Sequence, residues 1–549
     1  MRKPELTASK QALSREASFK DGHLTRPALI SLSILTAITF LGNFTQLQLA
    51  SALPTIVKEF GISFTAGQWL TSVFQLVMGV MVPLTGFLTK RFSTRQIVIT
   101  SMTIFTIGSI LSWQSTSFTL VLIGRILEAV GTGTMWPVLQ ITVFSIYPLA
   151  KRGMAMGTVG VAMSVAPAIG PTFGGWQTDT HGWRSIFLSL AVLGAIGMIA
   201  SALWLHNFGE TDKSIKTDFF SVALSIFGFG GLMFGFTNIE TYPITNPMTW
   251  LPMVVGLIGI VWFVMRQLHR AKPLLNLRVL KVKNFTVGTA IASLSFFAFS
   301  SVTVILPLYI QNDRGFSATM SGLVMLPGAI GTAIAQYFGG RLLDRMGARP
   351  VALTGCTILF IGTVGMSMIG STTWIGMVSI LQFTRQIGMG FTLMPLTTWS
   401  LNNLPSEDLS AGSAVTNTAR QIAGAVGAPV LVILMETFAA NRHQSLGGGA
   451  STLIPADIFG VQWALRISAL ICFGMLTLVY FGVRGEDAGS GRAMSRMVMR
   501  HMHFVHVPGT ASAHHSSSSK EEAEQKEKAA AVQMTTPAIN TPADPKHTD

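Results

Sequence analysis

Residues 118–143 read FTLVLIGRILEAVGTGTMWPVLQITV, an apolar run of bilayer length that carries one arginine and one glutamate. About 20 mostly apolar residues suffice for a helix to cross a hydrocarbon core of roughly 30 Å. A charge inside such a run is costly, so Arg125 needs a partner or a watery cavity. Glu128 lies at i+3, on the same helical face, where the two can pair. Such a pair can be a fixed tie between helices or a working charge pair. Gly131, Gly133 and Pro137 follow, and a similar stretch recurs downstream as Arg385, Gly388, Gly390 and Pro395.

Outward from this run, thirteen others lie between charged or turn-rich breaks. They are 28–50, 69–88, 97–115, 154–175, 185–205, 218–239, 249–265, 285–310, 321–341, 351–370, 373–399, 412–438 and 463–483. The shortest, 249–265, has Trp250 and Trp262 near its ends, as interfacial anchors should be. The expected fold class is therefore an all-α polytopic membrane protein with 14 transmembrane helices.

Composition agrees. Of 549 residues, 49% are hydrophobic and 11% charged, against roughly 25% charged in soluble chains. Most of the surface is expected to face lipid. The net charge of +14 sits in loops and tails, the pattern of a positive-inside membrane protein, and points to no nucleic acid partner. Cys356 and Cys472 both fall within apolar runs and read as buried thiols. About 27 residues precede the first run, which shows no small-residue cleavage site and reads as a mature helix.

With a cytoplasmic N-terminus, one set of loops holds Lys90, Arg91, Arg95, Lys151, Arg152, Arg266, Arg270, Arg341, Arg345 and Arg349, among others. The opposite set holds Lys58, Arg184, Arg314, Arg442 and Arg466. That asymmetry places both termini in the cytoplasm and requires an even number of spans. Residues 484–549 form a polar, low-complexity tail, expected to be a disordered cytoplasmic extension. Its histidines, from His501 to His515, are spaced too irregularly for a metal site, and a solvated tail is the expectation.

Two loops also repeat. Gly86 to Arg95 follows the second run, and Gly340 to Arg349 follows the tenth. Both this echo and the arginine echo are offset by eight runs. The expected domains are a cytoplasmic segment 1–27, a six-helix half 28–205, two inserted helices with flanking loops 206–284, a second half 285–483, and the tail 484–549. Parallel repeats of this kind are a known transporter construction.

These motifs resemble the major facilitator superfamily, specifically its fourteen-helix drug:proton antiporters of the EmrB/QacA type, over residues 30–483. The resemblance implies a major facilitator fold and a charged latch in the Gly-x-Leu-x-x-Arg loops. The second copy keeps the family acid as Asp344, with Arg345 and Arg349, whereas Lys90 stands at that position in the first. Simple positive-inside charge is the competing reading of these loops. Arg125 matches the family arginine implicated in proton coupling, and Glu128 replaces the usual glutamine, adding a titratable group. Pro167, Gly170, Pro171, Gly174 and Gly175 match the antiporter motif, in which glycines allow close backbone approach and prolines bend the helix. The family's first-helix acid is absent: Thr45 stands there, with Asn43, Gln46 and Gln48 nearby.

The candidate acids become Glu128 and Glu436, and the candidate cavity residues Gln46, Gln48, Trp136, Gln140 and Glu436. The resemblance implies a multi-pass inner-membrane efflux transporter that exports lipophilic or cationic drugs by alternating access. Its partners would be small-molecule drugs or toxic compounds, protons and the lipid bilayer. The proton is the coupling ion, with no cofactor, metal or catalytic residue. A docking adaptor protein is left open, although the outer loops are short. An exporter of a metabolite (amino acid, organic anion or siderophore) is the main alternative, favoured by the missing acid and by Arg125, Arg385 and Arg420. A non-transporting receptor or scaffold is the third reading. No nucleophile–base constellation suggests an enzyme.

Overall fold

Hydrocarbon offers no partner to a backbone N–H or C=O, so each apolar run satisfies its own backbone as a helix. The computed structural model describes residues 12–20, 23–49, 52–62, 64–208, 218–239, 242–243, 245–270, 273–316 and 318–483. The expected tail, most of the N-terminal segment and the histidine-rich stretch lie outside the described residues.

The helices are α1 (Arg26–Gln48), α2 (Leu53–Phe60), α3 (Phe64–Arg91), α4 (Thr94–Trp113), α5 (Phe118–Thr132), α6 (Met135–Ile146), α7 (Arg152–His181) and α8 (Arg184–Trp204). They continue as α9 (Phe219–Asn238), α10 (Pro247–His269), α11 (Lys283–Leu308), α12 (Ala318–Met346), α13 (Ala348–Met366), α14 (Ile375–Asn402), α15 (Leu409–Ser445) and α16 (Leu453–Gly482). All the expected runs coincide with helix, though edges differ by up to about ten residues, most at the start of α16. Short α2 was not foreseen; it ends on Gly61 at φ 63°, a left-handed conformation that glycine adopts without steric cost.

Local chemistry sets several starts. Ser93 and Gln96 form a reciprocal capping box before α4, and the Ser117 hydroxyl accepts from the Leu120 amide before α5. The run at 118–143 is two helices rather than one, broken at Gly133 and Thr134. Pro137 has no N–H to give the Gly133 carbonyl, so the helical ladder is interrupted there.

Among the described residues, twelve helical segments, counting α5 with α6, are long and apolar enough to cross a membrane. Helices α7 and α14 fall short of that measure. Both are packed among other helices rather than spread on lipid: α7 against α1 and α12, α14 against α12, α13 and α11. A helix covered by protein need not be apolar on every face.

The packing repeats with the motifs. Helix α4 packs on α5 and α8, and α1 on α7 and α8; eight runs later, α13 packs on α14 and α16, and α11 on α15 and α16. Two reciprocal contacts join the groups, α7 with α12 and α3 with α15. Helices α9 and α10 form a hairpin whose α9 touches α3 and α15. The hairpin closes tightly: a methyl group on Gly259 would sit 2.9 Å from the Gly228 Cα. Asp218 ties its far end to Arg266 at 3.2 Å and Arg270 at 2.8 Å.

Candidate functional site

Arg125 and Glu128 form an ion pair at 2.7 Å with both side chains fully buried. The pair is built by close approach of α4 and α5. A methyl group on Gly108 would lie 2.6 Å from the Gly124 carbonyl oxygen, and one on Gly131 would lie 2.5 Å from that of Ser101. That proximity brings Ser109 within reach, and its hydroxyl donates to Glu128 Oε1 at 2.7 Å. The guanidinium donates from Nε to the Leu70 carbonyl at 3.2 Å and from Nη1 towards that of Thr45 at 3.5 Å. It also lies 4.2 Å from the Phe74 ring centroid, a cation–π arrangement. One side chain on α5 thus touches α1 and α3, while its acid touches α4. Arg125 Nη2 has no hydrogen-bond partner among the described residues.

The second constellation lies where α12 meets α7. Asp344 accepts from the Gly153 amide at 3.0 Å and the Met154 amide at 2.7 Å, so a carboxylate sits on the first turn of α7. Helix amides and dipole there favour an anion. Glycines permit the approach: a methyl on Gly157 would meet the Gln336 carbonyl at 2.5 Å. Further along, Ser164 donates to Gln336 Oε1 at 3.1 Å. Arg345 is exposed. Arg349 turns away to the Tyr480 carbonyl at 3.2 Å. Of the three expected latch residues, Asp344 alone touches α7 through a hydrogen bond.

The equivalent contact between α3 and α15 has no carboxylate. Ser410 donates to the Gly86 carbonyl at 3.3 Å and shares a 2.5 Å hydrogen bond with Thr89. Nearby, Arg152 spans the groups, donating to the Phe144 and Tyr147 carbonyls at the end of α6 and to Asn402 Oδ1 at 3.2 Å. These inter-group hydrogen bonds gather at the end carrying the basic loops.

A third cluster joins α6 to α15. Gln140 Oε1 accepts from Ser413 Oγ at 2.6 Å and from Asn417 Nδ2 at 2.9 Å. Arg420 Nη1 donates to Asn417 Oδ1 at 3.4 Å, and its guanidinium lies 4.9 Å from the Phe296 ring. Trp136 stands one turn before Gln140 on α6.

The remaining candidates disperse. Gln48 donates to Gln177 Oε1 at 2.5 Å and thereby ties α1 to α7. Gln46 is half-buried on α1, and Glu436 is exposed near the far end of α15. Pro167, Gly170, Pro171, Gly174 and Gly175 lie on the second half of α7, where Gly170 and Gly174 are buried and α7 runs against α1. No group of three or more metal-ligating side chains converges among the described residues. Sequence reading passed over Ser109 and Gln336, and found Ser413 and Asn417 only as part of the thirteenth-run motif, not as partners of Gln140. The small residues at 108, 124 and 131 are the signal that could have found Ser109, since they mark the face where α4 and α5 meet.

Comparison with known proteins bears on the family and the fold. The chain is 35% identical to the uncharacterized MFS-type transporter YcnB of Bacillus subtilis, over 80% of this chain and 92% of the relative. It is 33% identical to the lincomycin resistance protein LmrB of Bacillus subtilis, over 85% of this chain and 98% of the relative. The crystal structure of the human organic anion transporter MFSD10 shares the fold at 13% identity, with a TM-score of 0.59, covering 83% of this chain and 100% of that one. The Major Facilitator Superfamily family model matches residues 32–428. With that match, the repeated packing and the multi-pass helical architecture, this chain belongs to the major facilitator superfamily of membrane transporters, and is not an enzyme.

Proposed function

We propose that this protein is a proton-coupled exporter of lipophilic compounds, working by alternating access between its α1–α8 and α11–α16 groups. The resistance function in the name of its relative LmrB supports export of a drug-like compound. In this reading α7 and α14 also cross the bilayer, giving fourteen spans. The halves 28–205 and 285–483 flank the inserted segment 206–284. The basic loops support a cytoplasmic position for both termini. The inter-group hydrogen bonds of Asp344, Ser410 and Arg152 then close the cytoplasmic side.

One observation carries the coupling: the sealed Arg125–Glu128 pair at the junction of α1, α3, α4 and α5. Protonating Glu128 removes the ionic part of its hold on Arg125. The guanidinium is then free to shift its bonds to the Leu70 and Thr45 carbonyls, and with them the setting of α1 and α3. A proton drives transport only if the two access states bind it with different affinity, and a pair whose environment changes with helix packing meets that condition.

Glu128→Gln keeps the shape and a hydrogen bond to Ser109 but cannot titrate. Dye efflux from cells expressing this variant is expected to fall tenfold or more at wild-type membrane abundance. Undiminished efflux, or undiminished substrate-dependent proton release in reconstituted vesicles, would remove Glu128 from the mechanism.

A further inference from the structure

The cluster between α6 and α15 has a direction that its hydrogen bonds fix. Arginine only donates, so Asn417 must present Oδ1 to Arg420 and Nδ2 to Gln140. Gln140 must then present Oε1 to Asn417, and Ser413 donates to the same oxygen. The acceptor of Gln140 is fully used. Its Nε2 is buried with no partner, as are Trp136 Nε1 and Arg420 Nε.

Three unsatisfied donors therefore sit around one short chain of contacts: an indole one turn from the amide, the amide itself, and a guanidinium one residue beyond it. No carboxylate lies within salt-bridge distance of Arg420 among the described residues. The other acids are engaged or remote. Glu128 is held by Arg125 and Ser109, Asp344 by the start of α7, and Glu436 stands sixteen residues along α15, roughly 24 Å by helical rise. Leaving a buried donor unpaired is unfavourable, and a native structure that leaves three together is arranged for something that accepts. The place is where α6 of one group packs on α15 of the other, the seam that alternating access opens.

We propose that Trp136, Gln140 and Arg420 form the recognition point for the anionic end of the transported compound, a carboxylate carried on a lipophilic body. Gln140 and Trp136 donate to its oxygens and Arg420 supplies the charge, while Ser413 and Asn417 hold Gln140 in the donating orientation. This assignment rests on the transport reading for its context and names the substrate class that reading left open. It disfavours a simple lipophilic cation at this point, because these three unpaired atoms are all donors and Arg420 carries positive charge.

Equilibrium binding to the purified full chain in detergent, with no proton gradient, separates this claim from proton coupling. The probes are a dansyl-labelled eleven-carbon carboxylic acid, its methyl ester and ethidium. The acid is expected to bind at least tenfold more tightly than the ester, with ethidium weaker than the acid. Arg420→Gln should erase the preference for acid over ester. Trp136→Phe, which keeps the ring and removes the donor, should weaken the acid a few fold and leave the ester unchanged. Gln140→Glu should turn the preference towards ethidium. Equal binding of acid and ester by the wild-type protein would overturn the proposal without reference to any variant's folding. So would an unaltered acid preference in a folded Arg420→Gln protein. Loss of proton-driven efflux in Glu128→Gln with acid binding intact would leave this site standing. No measurable acid binding by the wild-type protein, with efflux intact, would sink this site alone.

Discussion

Arg125 and Arg385 occupy equivalent places eight runs apart, and their surroundings differ. Arg125 is answered by Glu128 three residues on, with Ser109 holding the acid. Arg385 is equally buried, donates to the Ala298 carbonyl at 2.7 Å, and meets glycine where Arg125 meets glutamate. The reason is steric. A methyl group at Gly388 would run into the Leu359 amide and lie 2.7 Å from the Gly355 carbonyl, so α13 and α14 close on the position where an acid would stand. On the other side the glycine facing residue 128 lies on α4 instead: a methyl group on Gly108 would lie 2.9 Å from the Glu128 amide, so α5 keeps its side chain there. The repeat preserved the helix frame and moved the side of the contact that carries the glycine, and with it the one fully buried ion pair among the described residues. The latches differ in the same sense: Asp344 holds the start of α7, while Lys90 stands at the matching place before α15.

The largest test of this contrast is to strand each arginine or remove it. Glu128→Leu leaves a buried, unpaired cation and is expected to destabilise the protein by about 3–5 kcal/mol. Arg385→Met leaves no acid unpaired and should change stability by under about 1 kcal/mol, since the large losses come from stranding a buried partner. Thermal unfolding of both variants in one detergent checks the difference. Similar losses would mean that Arg385 has an unrecognised acidic partner.

A smaller effect concerns the latches. Asp344→Asn removes a charge from the first turn of α7 and is expected to cost about 1 kcal/mol, read as faster amide exchange at Gly153 and Met154. Lys90→Asp should act in the opposite sense at the start of α15, slowing exchange at Ser410 and Ala411. If Lys90→Asp leaves that exchange unchanged, the two loops are not mechanically equivalent despite their matching sequence.

The smallest effect lies at the opposite end, away from both latches. Glu59 on α2 accepts from Trp183 Nε1 at 2.5 Å and Arg184 Nη1 at 2.6 Å. These hydrogen bonds, Trp183 first, hold its carboxyl below the ordinary glutamate value despite some burial. A lowered folded-state pKa means the tie is present at neutral pH and is lost as pH falls through that depressed value. The ion pair is well exposed, with side chains 37% and 42% accessible, so solvent screens much of its worth. Amide exchange of α2 should rise on acidification, and Glu59→Gln should show the raised exchange already at neutral pH. A wild-type α2 indifferent to pH would remove this clamp while leaving the contrast between the two arginines untouched.

Much of this was legible in the chain. Runs of bilayer length marked the helices because hydrocarbon permits little else, and the eight-run offset of two motifs anticipated an offset that recurs in helix contacts. The break at Gly133 was harder to read, since a glycine pair and Pro137 also occur in unbroken helices. The pairing of Arg125 with Glu128 followed from i, i+3 spacing. Ser109 did not, because it comes from a helix whose face is set by glycines on both partners.

The sequence by itself determined that this is a multi-pass helical membrane protein resembling one transporter superfamily, with an arginine and a glutamate inside its fourth apolar run. Periodicity and charge placement suffice for the helices, since they answer to the solvent and not to a particular neighbour; the superfamily came from the resemblance of its motifs. Beyond the Arg125–Glu128 pairing, only the tertiary structure decided what the polar side chains do. It made Asp344 a cap on α7, turned Arg349 away, and left Glu436 exposed. It also used up the acceptor of Gln140 while leaving its donor free. Those outcomes depend on which atom lies within 3 Å, and that is fixed by where glycines let two helices meet.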